Sequence, residues 1–507
     1  MVIGMRFSVE EVNINSSDPQ IIMDMGDCVK LGVKENDRVK VTGVTSTIAI
    51  VAISVDMVSP GTAGIPEQMI KKIGRGKDGK VDIVYTHKPD SVVNILKKMD
   101  GGKLTKEEIE AIVTDILENR MSSIEISAWL TALYINGMDL DEIADFTMAM
   151  AKTGDTVNFD RFPVYDFHSL GGVPGNKITP IVISIVAAAG LMIPKTSSRA
   201  ISSACGTSDF VETFCDVELE TGKLKSISEE VGGVFAWGGS MNLAPVDDMV
   251  IRIEHPLGIN PRAQMLASIM SKKVAMGSTH LLVDIPVGSE TKVATMEEAK
   301  SYARDLMGLG DRIGMHVECA ITYADQPIGM AVGPNLEARE CISILEGEKH
   351  PSSVMEKACE CAGMILEMAG MPGGFTKARG ILDSGEAHRK FMEIVVAQGG
   401  RPDLKSSDLQ PGKYSYELKA PNTGYVHVVH NKQIVFIARA AGAPSDKGAG
   451  LMVMKKRGQR VEAGDVLMTI YAESEAKLKR AQEAAISNSP FEIEGILLKK
   501  VREVRTL

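Results

Sequence analysis

The chain has 507 residues, more than one hydrophobic core usually organises, so several domains are expected. Its 44% hydrophobic and 24% charged content is that of a soluble globular protein and excludes a disordered chain. A formal net charge of -10 argues against a general nucleic-acid binder and leaves room for a local basic pocket that takes a small anion.

MVIGMRFSVEEV at the start breaks its apolar run with charges and is not read as a signal peptide. Residues 1–86 read as a β-rich, barrel-like domain. DRVKVTG and STIAIVAISV carry the Val, Ile and Thr of strands, and GDCVKLGVKENDRV supplies turns. HKPDS is a connector. A helical domain follows over 90–157, completed by about 245–278. LTKEEIEAIVTDIL places Thr105 three residues before Glu108, a capping-box spacing. SSIEISAWLTALYING repeats it with Ser122 and Glu125, Gly137 marks a stop, and DLDEIADFTMAMAKTG is the third helix.

From Pro163 strands alternate with helices. VYDFHS, GGVFAW, THLLVDIPV and HVECAITYA are the strands. KITPIVISIVAAAG, INPRAQMLASIMSKKVAMG, TMEEAKSYARDLMGLGDRI and SSVMEKACECAGMILEMAG are the helices. That order predicts an α/β domain with a mostly parallel sheet over 160–244 and 279–418. The apolar run 178–193 contains Pro180 and Gly190 and is short for a bilayer span, so no membrane is expected. Over 419–507, GYVHVV, QIVFIARA, LMVMKKRGQRVEAGDVLMTIYA and FEIEGILLKKV read as short strands around the helix SEAKLKRAQEAA, an α+β domain. GQRVEAGDVLMTIYA is similar to half of a lipoyl or biotinyl domain. No lysine stands at a hairpin tip in the required setting, so this part reads as a structural module.

The 7 cysteines are scattered and odd in number, which argues against a disulfide framework and fits a reducing cytoplasm. Cys359 and Cys361 lack a second ligand pair, so no metal is expected. The 29 methionines read as core filler.

Ligands of open α/β sheets collect at the carboxyl ends of the strands. VYDFHSLGGVPGNK spans such a handover, and Gly171, Gly172 and Gly175 let the backbone approach a ligand closely. The Walker order is absent, because Asn176 separates Gly175 from Lys177 and Ile178 follows. A turn serving geometry alone is the competing reading. In KTSSRAISSACGTSDFVE, Thr196, Ser197, Ser198, Ser202, Ser203, Thr207 and Ser208 crowd around Arg199 and Gly206. Thr207 or Ser208 could cap a helix there, yet the set as a whole suits phosphate. In INPRAQMLASIMSKK, Gln264, Ser268 and Lys272 are spaced by four and share one helix face, which could equally be a wet amphipathic face.

These three segments, in this order, resemble the thymidine and pyrimidine-nucleoside phosphorylase family over roughly residues 90–475, NGMDLDEIADFTMAMAKTG and IARAAGAPSDKGAG included. The β-rich start and the wording DFHSLGGVPGNK, IPKTSSRAISSACGTSD and LASIMSKK resemble its archaeal AMP phosphorylase branch. The resemblance implies phosphorolysis of AMP, and plausibly CMP and UMP, to free base and ribose 1,5-bisphosphate in nucleotide salvage and degradation. Orthophosphate is then a co-substrate, no cofactor is needed, and a homodimer or larger homo-oligomer is expected. By position it assigns His168 and Ser169 to the sugar and phosphate pocket, with His168 as a catalytic candidate. Gly172 is a nucleotide contact, and Ser197 and Thr207 are phosphate contacts. Ser198, Arg199, Ala200, Ile201, Ser202 and Ser203 form the nucleotide stretch. Ser268 and Lys272 are base contacts, and Ser268 and Lys292 substrate contacts. Arg199 and Lys292 are candidates for the 5′-phosphate.

Three departures stand out. Phe167 replaces the lysine that precedes the His-Ser pair in the nucleoside enzymes. VIRIEHPLGINP lacks a clean counterpart of their base-reading arginine. Asn260 stands where the AMP enzymes carry the aspartic acid that protonates the leaving base. An amide can hydrogen-bond the base but cannot act as a general acid, so Asp247, Asp248, Glu254 and His255 are alternative donors. The helical and α/β domains are expected to carry opposite sides of a crevice that closes to expel water. Two further readings stay open: a pyrimidine-nucleoside phosphorylase, and a nucleotide-binding assembly protein whose catalysis Asn260 has impaired.

Overall fold

The computed structural model describes residues 4–14, 18–200 and 203–495. The backbone forms two compact units, Met1–Gly154 with Leu243–Ala275, and Asp155–Asn242 with Met276–Leu507.

The first unit opens with a closed barrel of β1 (Gly4–Val12), β2 (Gln20–Asp24), β3 (Arg38–Thr42), β4 (Ser46–Ser54), β5 (Thr62–Pro66) and β6 (Lys80–Thr86). Phe7, Ile21, Met23, Val39, Val41, Val51, Ile65 and Ile83 fill its interior, and closure leaves no strand edge unpaired. Part of the expected turn GDCVKLG is instead the helix α1 (Met25–Leu31). The Asp24 carboxylate accepts the amides of Gly26 and Asp27 at 2.9 and 3.2 Å, and Gly32 ends the helix at φ 76°. Cys28 and Leu31 bury its inner side. A second short helix, α2 (Glu67–Ile73), follows β5.

Four helices succeed the barrel: α3 (Val92–Met99), α4 (Lys106–Leu117), α5 (Ser123–Asn136) and α6 (Leu140–Ala151). The sequence pattern predicts three; the structure adds the eight-residue α3, which turns Ile95 and Lys98 inward. Glu108 accepts the amide of Thr105, and Glu125 that of Ser122, both at 2.7 Å, as the capping spacing predicts. Gly137 stops α5 at φ 62°. Inside the bundle Lys98 Nζ donates to both oxygens of Glu142 at 2.9 and 3.0 Å. The same carboxylate accepts the amides of Leu104 and Asp139, so a buried charge pair is fully satisfied.

The second unit carries β7 (Tyr165–Ser169), α7 (Thr179–Ala188), β8 (Ile193–Ser197), α8 (Thr207–Val211), α9 (Thr221–Val231) and β9 (Gly233–Trp237). The chain then forms α10 (Pro245–Leu257) and α11 (Arg262–Ala275) of the first unit. It returns as β10 (His280–Val287), α12 (Met296–Ile313) and β11 (His316–Tyr323). β10 runs parallel to β7 and β11, and β8 parallel to β9. A parallel bridge of Val164 to Met192, with Tyr165 N donating to Met192 O at 2.9 Å, joins the two sets. The strand order is therefore β11-β10-β7-β8-β9, all parallel, as the βα alternation predicts. α7 is buried along its length because it lies inside the largest apolar cluster, with Phe210, Phe235 and Phe391.

After β12 (Ala331–Val332) come α13 (Pro334–Leu345), α14 (Ser352–Met368), α15 (Gly374–Asp383) and α16 (Glu386–Ala397). The last part contains β13 (Tyr414–Lys419), β14 (Gly424–Val429), α17 (Asn431–Ala441), β15 (Gly450–Val453), β16 (Arg460–Val461), β17 (Val466–Ala472), α18 (Glu475–Ser487) and β18 (Phe491–Glu494). Its main sheet has the order β12-β15-β17-β13 and so includes a strand from well upstream. QIVFIARA, expected as a strand, lies in the helix α17. Ile434, Ile437, Ala438 and Ala441 bury one helical face there, and that spacing overrides the β-branched composition. The end of FEIEGILLKKV lies outside the described residues. Among the described residues, no helix is long and apolar enough to cross a membrane.

Glu142→Ala should lower the stability of the helical unit by about 3–5 kcal/mol, because it strands the Lys98 ammonium in the interior. Urea unfolding of the variant against the native chain measures this.

Candidate active site

His168 and Ser169 end β7 in register with Val283 and Asp284 of β10. Ser169 Oγ donates to Asp284 Oδ2 at 2.7 Å and accepts from Gly171 N at 3.3 Å and Asn176 Nδ2 at 3.1 Å. Its single proton is directed at Asp284, and these contacts tie the loop to β10. Asp284 is wholly buried, accepts Thr322 Oγ1 at 2.6 Å, and lies 2.8 Å from Lys357 Nζ. Neither Asp284 nor Lys357 emerges from the motif reading. The available signal was a carboxylate inside the otherwise apolar strand THLLVDIPV.

The bare backbone of the first loop has two local causes. Gly172 has φ 88°, and a Cβ there would lie 2.8 Å from Lys292 N, so the loop meets the backbone of a predicted substrate residue. Gly175 has φ 74°, and its Cβ would lie 2.5 Å from Ile328 O. Lys177 is fully buried, donating to Glu340 Oε2 at 2.5 Å and Ile328 O at 3.1 Å. It is a core cation, consistent with the missing Walker order.

The second loop leaves the end of β8, next to β7, so His168 and Thr207 belong to neighbouring strand–loop connections of one sheet. Ser197 Oγ lies 2.8 Å from Ser208 Oγ. The cap of α8 is Gly206, not Thr207 or Ser208: Asp209 Oδ2 accepts Gly206 N at 2.8 Å and Ala200 N at 2.7 Å. Ser198 contributes its carbonyl to Ser208 N at 3.4 Å, and Ser203 Oγ donates to Cys205 O at 3.3 Å. Arg199 was expected to grip phosphate. Its Nη2 instead donates to Glu212 at 3.0 Å and Glu218 at 2.8 Å, and its guanidinium carbon sits 4.5 Å above the Trp237 ring. Two carboxylates and an aromatic face hold it as a brace. Ile201 and Ser202 lie outside the described residues. Lys447 reaches Glu212 at 2.9 Å, and Arg439 donates to Ser203 O at 3.0 Å, so the C-terminal part fastens this loop.

In the first unit, Gln264, Ser268 and Lys272 of α11 converge on Asp247 of α10. The contacts are 3.0 Å from Gln264 Nε2, 2.8 Å from Ser268 Oγ and 2.7 Å from Lys272 Nζ. Lys272 also lies 3.4 Å from Asp248. Burial pulls the Lys272 pKa down, but Asp247 and Asp248 outweigh it and leave the pKa raised. Gln264 and Asp247 are buried, so this face is an organised cluster and not simply a wet one. Asp247 collects three donors, which makes it an anchor rather than an available acid. Asn260 is exposed, with Nδ2 3.9 Å from Met265 Sδ.

The segment 288–293 that carries Lys292 is also tied to the C-terminal part. His430 Nδ1 lies 2.8 Å from Glu290, and its Nε2 lies 2.9 Å from Glu492. Burial lowers the His430 pKa, but the two carboxylates raise it more, to above the ordinary value of 6.5. Among the described residues, no cluster of three or more His, Cys, Asp and Glu side chains could hold a metal ion.

Three family models match the chain: a glycosyl transferase family helical bundle domain over residues 94–154, the a/b domain of that family over 161–388, and a pyrimidine nucleoside phosphorylase C-terminal domain over 425–492. A protein named AMP phosphorylase from Methanococcoides burtonii is 44% identical over 506 residues, covering 99% of this chain and 100% of that one. AMP phosphorylases from Thermococcus kodakarensis and Pyrococcus furiosus are 47% and 46% identical, each over 99% of this chain and 100% of their own length. An anthranilate phosphoribosyltransferase from Thermus thermophilus shares the fold at TM-score 0.52 and 20% identity, over 60% of this chain and 99% of that one.

Gly172→Ala should abolish the rise in melting temperature produced by orthophosphate and also lower the ligand-free melting temperature, because its Cβ meets the Lys292 backbone at a positive φ, both read by calorimetry. The His430 clamp should stabilise the protein fully below about pH 6.5 and lose that contribution as pH rises through the raised folded pKa. The melting-temperature gap between the native chain and His430→Gln should therefore be widest in acid and close on the alkaline side.

Proposed function

This chain belongs to the AMP phosphorylases of the glycosyl transferase family, pentosyltransferases that cleave AMP with orthophosphate, and we propose how its residues divide that work. The two loops after β7 and β8 take orthophosphate through backbone amides and hydroxyls. The observation that carries this reading is their emergence from adjacent parallel strand ends. A phosphate oxygen attacks C1′ of the ribose as the C1′–N9 bond breaks. Its negative charge stabilises the positive charge that grows on the sugar. Adenine leaves with the bonding electron pair, and the sugar product is ribose 1,5-bisphosphate.

Ser268 and Lys272, aligned by Asp247, contact the base, and Lys292 contacts the 5′-phosphate. The Asn260 amide hydrogen-bonds the departing base, whose proton comes from solvent. CMP and UMP follow the same course, with the base contacts setting the relative rates. The active form is a homo-oligomer in the cytoplasm.

Asn260 also gives weight to a second reading, in which the chain binds AMP with catalysis impaired. One assay separates the two. With AMP and orthophosphate the native chain should release adenine and sugar bisphosphate in equal amounts, and release neither without phosphate. Asn260→Asp should raise kcat/KM by about 10²-fold, at the lower end of general-acid contributions. AMP binding with no adenine release from the native chain favours the second reading.

A further inference from the structure

We propose that Asp284 and Lys357 form a buried positioning pair that sets the orthophosphate loop, an inference that rests on the phosphate role assigned above to the loop after β7. Residues 167–176 contain no lysine or arginine, and Phe167, where the resemblance implies a lysine, is packed in the core. Lys177 is held by Glu340. Through the contacts of Ser169, the charged groups that reach this loop are Asp284, wholly buried, and Lys357, whose side chain is 9% exposed.

The geometry makes Asp284 a hub. Oδ2 takes the Ser169 proton at 2.7 Å and lies 3.5 Å from Asn176 Nδ2, while Oδ1 takes the Thr322 proton at 2.6 Å. Three chain segments therefore converge on this one carboxylate of β10: the glycine loop at both ends, the end of β11, and α14 through Lys357. Asp284 also lends its backbone carbonyl to Leu170 N at 2.9 Å, which fixes the residue before Gly171.

Lys357, on α14, brings its ammonium to within 2.8 Å of Oδ2, and among the described residues Nζ has no well-aligned hydrogen-bond acceptor. Its role is to balance the buried carboxylate, which would otherwise be too costly to keep charged. With Asp284 charged, the Ser169 hydroxyl must point its proton inward. Its lone pairs then face Gly171 N and Asn176 Nδ2, which gives the loop one orientation. A neutral amide at position 284 could donate as well as accept, and that direction would no longer be enforced.

The test uses Asp284→Asn, Lys357→Met and the double variant in the full-length chain. Each single variant should raise KM for orthophosphate by about tenfold or more, with KM for AMP within about twofold of native, as expected for a misplaced binding loop. Each should also lower the melting temperature, since one buried charge loses its partner. The double variant has no buried charge and should recover the native melting temperature while keeping the elevated phosphate KM. A merely structural pair predicts the opposite: phosphate KM returns along with the melting temperature. That result, or equal rises in both KM values for the single variants, overturns the proposal. Equilibrium binding of radiolabelled orthophosphate reads the same loop without turnover. Native binding with weakened variants supports the positioning role even if no adenine is released, whereas equal binding by native and variant chains overturns it.

Discussion

The parallel bridge between Val164 and Met192 decides which loops of the second unit lie side by side. It makes β7 and β8 neighbours running the same way, so the connections that follow them leave from one edge of one sheet. A parallel strand cannot be reached by a tight turn, so α7 must carry the chain back, and its apolar length is the natural outcome of being covered on both sides. The glycine-rich and hydroxyl-rich segments are separated in the chain by α7 because a complete crossover lies between them. Their shared placement is a consequence of sheet handedness and pairing rather than of any local affinity between the two segments.

Carboxylates do much of the remaining organisation. Asp209 gathers two amides at the head of α8, Asp247 gathers three side chains from α11, and Glu212 joins Arg199 to Lys447. In each case an acceptor-only group fixes the direction of several donors, and direction is what a binding surface for a small anion or a base requires. Positive groups near the loops are largely spoken for by these acids. The polar groups that the two loops themselves offer are amides and hydroxyls, which are weaker singly and more selective in geometry.

Much of the architecture could be read from residue order. The barrel strands, the capping boxes at Thr105 and Ser122, and the βα alternation each follow a local rule over a few residues. The errors share a cause. QIVFIARA has strand composition and helical burial, and only the position of its neighbours decides between them. MGDCVKL is too short for periodicity to speak. Within the site, the four-residue spacing exposed the face of Gln264, Ser268 and Lys272, but not Asp247, which lies 17 and 21 residues from Gln264 and Ser268. Ser169 and Asp284 are 115 residues apart, and no local pattern relates them. The glutamates that hold Arg199 stand 13 and 19 residues downstream, beyond the reach of a local pattern.

The small strand β12 has a wider implication. Ala331 and Val332 pair with Met452 and Leu451, so the sheet of the C-terminal part is completed by residues that precede α13. Cutting the gene at the apparent boundary near residue 419 would strip that sheet of both outer strands, β12 and β13, and release Lys447 and Arg439 from the loop they fasten. This terminal part is thus no interchangeable cassette. A lineage that shed or shuffled it would have to rebuild both the sheet margins and the anchorage of the segment after β8 at once, which ties its inheritance to that of the α/β core.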